Sequence, residues 1–342
     1  MKCVSKEWFQ LISSPLFKNL YSTTKTPRAL VVKESTKGHP VLFGQPLSRT
    51  LFVSTIDIST GETCKEFTKD IIGSHYSFIL SDNLILFEKF TAIAVCNPTT
   101  HEIVHLPLPS QPTVRYRLGY HQAKNEYKII HSFRRSENYD LGFEIITLKD
   151  GGPVPVTWRT VKFERPSPIR WYFDNTLIDY VDADGAMNWL VDARQGNKGG
   201  KTIFQLEMET ERFGTIGYPP DHLLEENESE QLVNIQGSLC LAYYSKQSST
   251  ITMYLLKDRS DQIWEMEYKI ELHDINKNVG NDLRIIGYLP GEDQNGEILI
   301  KTNEMKAILY NINTRSFRTI EHIWIGWCKN LYFDRFFTLG KK

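Results

Sequence analysis

The sequence predicts a mainly β chain, a six-bladed propeller with a short helical segment in front of it. Three observations carry this. Runs of four to eight Val, Ile, Leu, Phe and Tyr, bounded by Asn, Asp, Gly, Ser and Thr, recur from residue 28 onward, as short strands and turns do. Six of these runs share one design and return at a steady interval. Helical spacing appears before residue 20, and no long helical period follows it.

At the front, Val4, Trp8, Leu11 and Ile12 fall at i, i+4, i+7 and i+8, one stripe of a helix, with Lys6, Glu7 and Gln10 away from it. Ser13-Ser14-Pro15 stops that helix, because proline disfavours the α conformation in the residue before it. Leu16, Phe17 and Leu20 add a second apolar turn beyond the break. So short a helix is marginal alone, since nucleation is costly. Its stripe must pack on something, either the following domain or a partner.

In the repeated part, Leu51–Thr60, Ala92–Thr100, Phe143–Asp150, Thr202–Thr210, Ile251–Asp258 and Ala307–Thr314 each lead an apolar run through a polar turn into a second strand. Their last residues are spaced 40, 50, 60, 48 and 56 apart, a mean of about 51 against the ~50 residues of a kelch-type blade. An apolar run suited to a blade's inner strand precedes each: Ala29–Val32, Ser77–Phe87, Glu126–His131, Met187–Val191, Ser238–Tyr244 and Glu297–Lys301. Radially arranged sheets bury both faces on their neighbours and expose only short edges. Gly-Gly pairs of kelch type occur at Gly151-Gly152 and Gly199-Gly200 alone, and a pair of twisted β-sandwiches is the alternative. Part of the aromatic-rich Ile323–Leu339 is expected to return as a strand that completes the first blade and closes the ring.

Forty basic against 41 acidic residues give a net charge of -1, so no global field attracts nucleic acid or an anionic membrane surface. The five cysteines contain no C-x-x-C pair, and Cys96, Cys240 and Cys328 sit in apolar runs. Buried free thiols in a reducing compartment follow. Neither a signal segment nor an apolar run of about 18 residues is expected, which points to cytosol or nucleus.

The familiar chemical motifs fail on spacing. Gly196–Thr202 resembles a phosphate-binding loop, but Gln195 stands where the first glycine is needed and Ile203–Met208 reads as strand rather than helix. His101 and His105 are four apart in a strand–turn–strand stretch, where that spacing does not stack two imidazoles. Asp221-His222 and His131 supply no nucleophile frame. Asn227-Glu228-Ser229 is a fortuitous glycosylation triplet in an acidic run, Glu225–Glu230, which reads as a solvated loop. No catalytic residue, cofactor or metal ligand is assigned. Arg170, Trp171 and Tyr172, followed by Phe173, read as blade core or, if partly exposed, as the best candidate binding hot spot, since Trp, Tyr and Arg dominate such sites.

Two resemblances give these readings a context. Lys2-Cys3-Val4-Ser5-Lys6-Glu7-Trp8, followed by Leu11–Phe17, closely resembles the C-terminal half of the plant F-box, in which a C-V-S-K-x-W core precedes L-I-S-x-P-x-F. Val95–Thr100 with Leu106-Pro107-Leu108-Pro109, then Leu118-Gly119-Tyr120 and Asn125-Glu126-Tyr127-Lys128-Ile129, looks like the plant F-box-associated domain. Gly185–Leu190, Phe204–Pro219 with Gln205 in place of an aspartate, and Leu232–Leu256 resemble its later segments.

The resemblance implies a partial F-box at 1–22 and an F-box-associated propeller at 28–339. It implies a substrate-recognition subunit of a Skp1–cullin–F-box (SCF) ubiquitin ligase that performs no chemistry itself. Val4, Trp8, Leu11, Ile12 and Phe17 would meet the Skp1 adaptor, and the propeller would hold an unknown protein target. The front half of the F-box, with its L-P-x-[DE] opening, is expected to be missing. Residues 1–20 alone then offer far less than the ~1,200 Å² buried in a stable complex. The alternative is a stand-alone interaction domain or decoy that does not bind Skp1. A propeller hydrolase or oxidase would need clustered acids or a metal set.

Overall fold

The apolar runs fold as strands. The computed structural model describes residues 5, 11, 14, 17, 28–36, 48–58, 62–72, 77–89, 92–111, 113–134, 141–161, 180–192, 201–219, 228–272, 283–291, 296–302, 306–320, 331–332 and 337–340. They belong to two compact units. One is Met1–Leu106 with Lys149–Val154 and Gly326–Lys342, the other Pro107–Leu148 with Pro155–Ile325. The architecture is mainly β, that of a β-propeller, and among the described residues the strands form six four-stranded antiparallel sheets.

In the first unit, β1 (Arg28–Thr36), β2 (Ser48–Asp57) and β3 (Thr63–Ile72) share a sheet with β24 (Leu331–Tyr332), in the order β24-β1-β2-β3. Ala29 faces Leu331 and Arg28 faces Tyr332, so a piece of Ile323–Leu339 does return to complete the first sheet. The second sheet is β4 (Ser77–Ser81), β5 (Leu84–Lys89), β6 (Ala92–Asn97) and β7 (Glu102–Leu106).

The second unit holds the remaining sheets, each running in chain order. The first comprises β8 (Thr113–His121), β9 (Glu126–Arg134), β10 (Leu141–Lys149) and β11 (Arg159–Val161). The next has β12 (Tyr180–Ala183), β13 (Ala186–Asp192), β14 (Lys201–Glu207) and β15 (Phe213–Ile216). Then come β16 (Glu228–Ile235), β17 (Ser238–Ser245), β18 (Thr250–Asp258) and β19 (Ile263–Glu271). The last has β20 (Arg284–Leu289), β21 (Glu297–Lys301), β22 (Ala307–Asn311) and β23 (Ser316–Ile320).

All six marked sequence segments fall on the third strand of a sheet, and the runs expected as inner strands fall mainly on the second. The marker at the third strand's end opens a turn with a left-handed residue: His101 after Thr100 (φ 60), Gly151 after Asp150 (φ 65), Glu211 after Thr210 (φ 57) and Arg315 after Thr314 (φ 53). Asparagine sets two of these turns alike. Asn97 Oδ1 accepts from the Thr99 and Thr100 amides, and Asn311 Oδ1 from those of Asn313 and Thr314. Asn side chains favour turns because they bond the backbone two residues on.

The core lies between sheets. Phe143, Ile145 and Val161 pack with Met187, Trp189, Phe204 and Leu206 of the next sheet. Val181, Ala183, Ile203 and Ile216 pack with Leu232, Leu239, Leu241 and Trp264. Val233, Cys240, Ala242 and Met253 pack with Ile285, Ile298, Ile300 and Ile308. Successive strand residues point to opposite faces, so a sheet buried on both sides reads as a continuous apolar run.

Two expectations are corrected or left open. The kelch-like label gains no support, because Gly151-Gly152 lies in the turn after β10 rather than in a strand, and Gly199-Gly200 lies outside the described residues. The helical segment expected over residues 1–22 also lies outside them, apart from Ser5, Leu11, Ser14 and Phe17.

Candidate functional site

The residues expected to meet an adaptor are described at two positions. Leu11 is exposed at 53% and Phe17 is half-buried. Between them Ser14 donates from its amide and hydroxyl to the Leu11 carbonyl, and its Oγ accepts from the Phe17 amide. These are the bonds that end one turn of chain and start the next. Val4, Trp8 and Ile12 lie outside the described residues, as do Arg170, Trp171 and Tyr172.

In the first unit, the tail Phe337–Gly340 is stitched to turns. Asn97 Nδ2 donates to the Phe337 carbonyl at 2.6 Å, the Leu339 amide to Glu102 Oε2 at 2.9 Å, and the Thr338 amide to Asp150 Oδ1 at 2.8 Å. The Gly151 amide returns a bond to the Thr338 carbonyl. A side chain at Gly340 would collide with the Gly152 carbonyl oxygen. The Asn97-Pro98-Thr99 motif is therefore architectural.

His131 on β9 is fully buried, with Nδ1 at 3.2 Å from Glu144 Oε2. Its ring lies among Tyr116, Phe133 and Trp158 at centroid distances of 5.1, 5.6 and 5.7 Å. Ser110 Oγ donates to Glu144 Oε1, and Trp158 Nε1 to the Pro107 carbonyl. Burial pushes the imidazole down from its ordinary value against the pull of Glu144. The serine bonds the carboxylate rather than the imidazole, so the trio has no nucleophile–base contact. With Trp158 it fastens Pro107 and Ser110 to the β8–β11 sheet.

The second unit brings together charged residues that the sequence reading did not connect. Lys128, from Asn125–Ile129, is buried on β9 and reaches Glu211 Oε1 at 2.5 Å and Glu126 Oε1 at 3.4 Å. Arg159 of β11 grips Glu211 from the other side, NH1 to Oε2 at 2.5 Å and NH2 to Oε1 at 2.8 Å. The Arg159 hydrogen bonds, with Lys128, hold the Glu211 carboxyl at about 2, far below its ordinary range, against the opposing effect of burial. Beside it lies a cleft of about 270 Å³ lined by Arg159, Thr160, Val161, Thr210, Glu211, Arg212 and Phe213. That is below the ~300–1,000 Å³ of sites that enclose a drug-sized ligand. It suits one large side chain. The sequence signal for this cluster was a lysine between the apolar Tyr127 and Ile129-Ile130 of one strand, which needs an anion when buried.

Other features seen in the sequence meet each other. Lys201, at the end of the phosphate-loop lookalike, begins strand β14 and pairs with Glu230 of the acidic run at 2.5 Å. That run is strand from Glu228 onward, which corrects its reading as a loop up to Glu230. His101 and His105 are exposed. Among the described residues, no group of three His, Cys, Asp or Glu could hold a metal ion, and no helix is long and apolar enough to cross a membrane.

Comparison with known proteins agrees with the motifs. An F-box/LRR-repeat protein of Arabidopsis thaliana is 22% identical over 97% of this chain and 80% of its own length. A putative F-box protein of the same plant is 23% identical over 93% of this chain and 84% of its own. Among solved structures, the dihydro-heme d1 dehydrogenase NirN aligns with a TM-score of 0.38 and 11% identity, covering 84% of this chain and 57% of that one. So slight a likeness carries no argument. Residues 41–332 match the F-box associated beta propeller domain. The chain is a plant-type F-box protein of the F-box associated beta propeller domain family.

Proposed function

We propose that this chain is a substrate-recognition subunit of an SCF-type ubiquitin ligase, in which the β-propeller holds a target protein and residues 1–22 contact a Skp1-like adaptor. The observation that carries the proposal is the family match over residues 41–332. The F-box names of the relatives support it. So does the exposed apolar side chain of Leu11, which a partner would cover. The role is non-enzymatic, acting by raising the local concentration of the target at the ligase. The buried free thiols of Cys96 and Cys240 support a cytosolic or nuclear setting.

Co-expression with a plant Skp1 protein, followed by size-exclusion chromatography, tests the adaptor contact. The expected result is a co-eluting pair that Leu11→Asp disrupts. The alternative is a stand-alone interaction domain that does not bind Skp1. Separate elution of intact chain and Skp1 would select it.

A further inference from the structure

We propose that the cleft beside Glu211 receives an acidic side chain from a partner polypeptide, with the anionic head on Arg212 and Arg159 and the stem over Phe213 and Val161. This rests on the reading that the propeller binds a polypeptide target.

The cleft is open because of where its walls come from. Arg159, Thr160 and Val161 are β11, the outer strand of its sheet, and Thr210–Phe213 lead into β15, the outer strand of the next. Neither strand has a further neighbour among the described residues.

Its charge favours an anion. Glu126 and Glu211 are balanced by Lys128 and Arg159. Arg212 is a further cation, exposed, and its guanidinium has no partner among the described residues. Arg159 uses two N–H groups on Glu211, and a guanidinium carries five. Its remaining donors are thus aimed by a fixed carboxylate, which lowers the ordering cost of binding.

The floor suits the stem of the visitor. Phe213 is half-buried, stacked on Phe204 at 5.1 Å and tilted against Phe143 at 4.5 Å. Val161 beside it is buried. Thr160 and Thr210 also line the cleft, the Thr210 hydroxyl donating to Glu207. A volume of about 270 Å³ admits a side chain and part of its backbone.

The test is selection of random twelve-residue peptides displayed on phage against the full chain and against Arg212→Glu. Arg212 is exposed, so the variant should keep the parent's melting temperature. The expected result is enrichment of Asp or Glu at one peptide position by the parent and its loss with the variant. A resynthesised peptide with Gln at that position should bind about three- to tenfold more weakly. Phosphoserine there separates the sources: tighter binding than Glu assigns the site to a phosphoryl group, weaker binding to a carboxylate. Peptides that bind parent and variant alike, with no acidic preference, would overturn the cleft and leave target binding to another surface. Recovery of no peptide consensus would also overturn it. Neither failure touches the Skp1 co-elution, which tests the ligase reading separately.

Discussion

Asn97 and Phe337 are joined by a 2.6 Å hydrogen bond across 240 residues of chain, the Asn97 amide donating to the Phe337 carbonyl, and both residues are buried. Asn97 also receives the Thr99 and Thr100 amides on its Oδ1. One side chain thereby fixes a turn and anchors the chain's last described segment. Replacing it with alanine removes its bonds to the Phe337 carbonyl and to the Thr99 and Thr100 amides, and a bond lost to a buried polar group costs about 1–3 kcal/mol. Asn97→Ala should lower unfolding stability by about 2–4 kcal/mol. Urea denaturation measures this, and a loss below about 0.5 kcal/mol, the size of an ordinary surface substitution, would show that the anchor is unimportant.

Gly340 tests the same tail from its other end. A β-carbon there would overlap the Gly152 carbonyl, and backbone cannot move aside as a flexible side chain can. Gly340→Ala should release the Thr338 and Leu339 bonds to Asp150 and Glu102, costing about 1–3 kcal/mol, as overpacking does. Limited proteolysis should then cut the C-terminal segment earlier than in the parent. An unchanged digestion pattern would refute the predicted clash.

Glu211 predicts the acid response. Its carboxyl titrates near 2 when folded against an ordinary 4.5, so the folded state binds this proton less readily than the unfolded one. Its stabilising contribution is complete above pH 4.5 and is lost as pH falls towards 2. Glu211→Gln should flatten the stability–pH curve between those values. At neutral pH, Glu211→Ala should cost about 2–4 kcal/mol, because Lys128 stays buried with one of its two carboxylates removed. Equal pH slopes for parent and glutamine variant would contradict the assignment.

What the sequence made legible follows from what repeats locally. Thr100, Thr210 and Thr314 were visible as turn markers because a left-handed residue must follow them at the third strand's end. The first strands were poorly visible: β12 has four residues and β24 two, too short for periodicity to register. The Glu211 cluster was hidden for another reason. Lys128, Arg159 and Glu211 lie far apart in sequence, and only the pairing of sheets brings them together. Lys201 and Glu230 each resembled a separate functional feature, and the structure spends both on one ion pair.

The run Leu239-Cys240-Leu241 gives the last prediction, because its neighbouring side chains serve different interfaces. Leu239 and Leu241 pack towards β12–β15, while Cys240 packs towards β20–β23. Cys240 is fully buried, and burial pushes its thiol well above the usual range. A thiol with little thiolate and no access is inert. Iodoacetamide should therefore leave the Cys240 peptide unmodified in the native chain and alkylate it in urea, as mass spectrometry can resolve. Cys240→Ser puts a hydroxyl into the cluster that holds Ile298, Ile300 and Met253. It should cost about 1–3 kcal/mol, as an unsatisfied buried polar group does. Cys240→Ala, which adds no polar atom, should cost less. The reverse order would mean that Cys240 faces water.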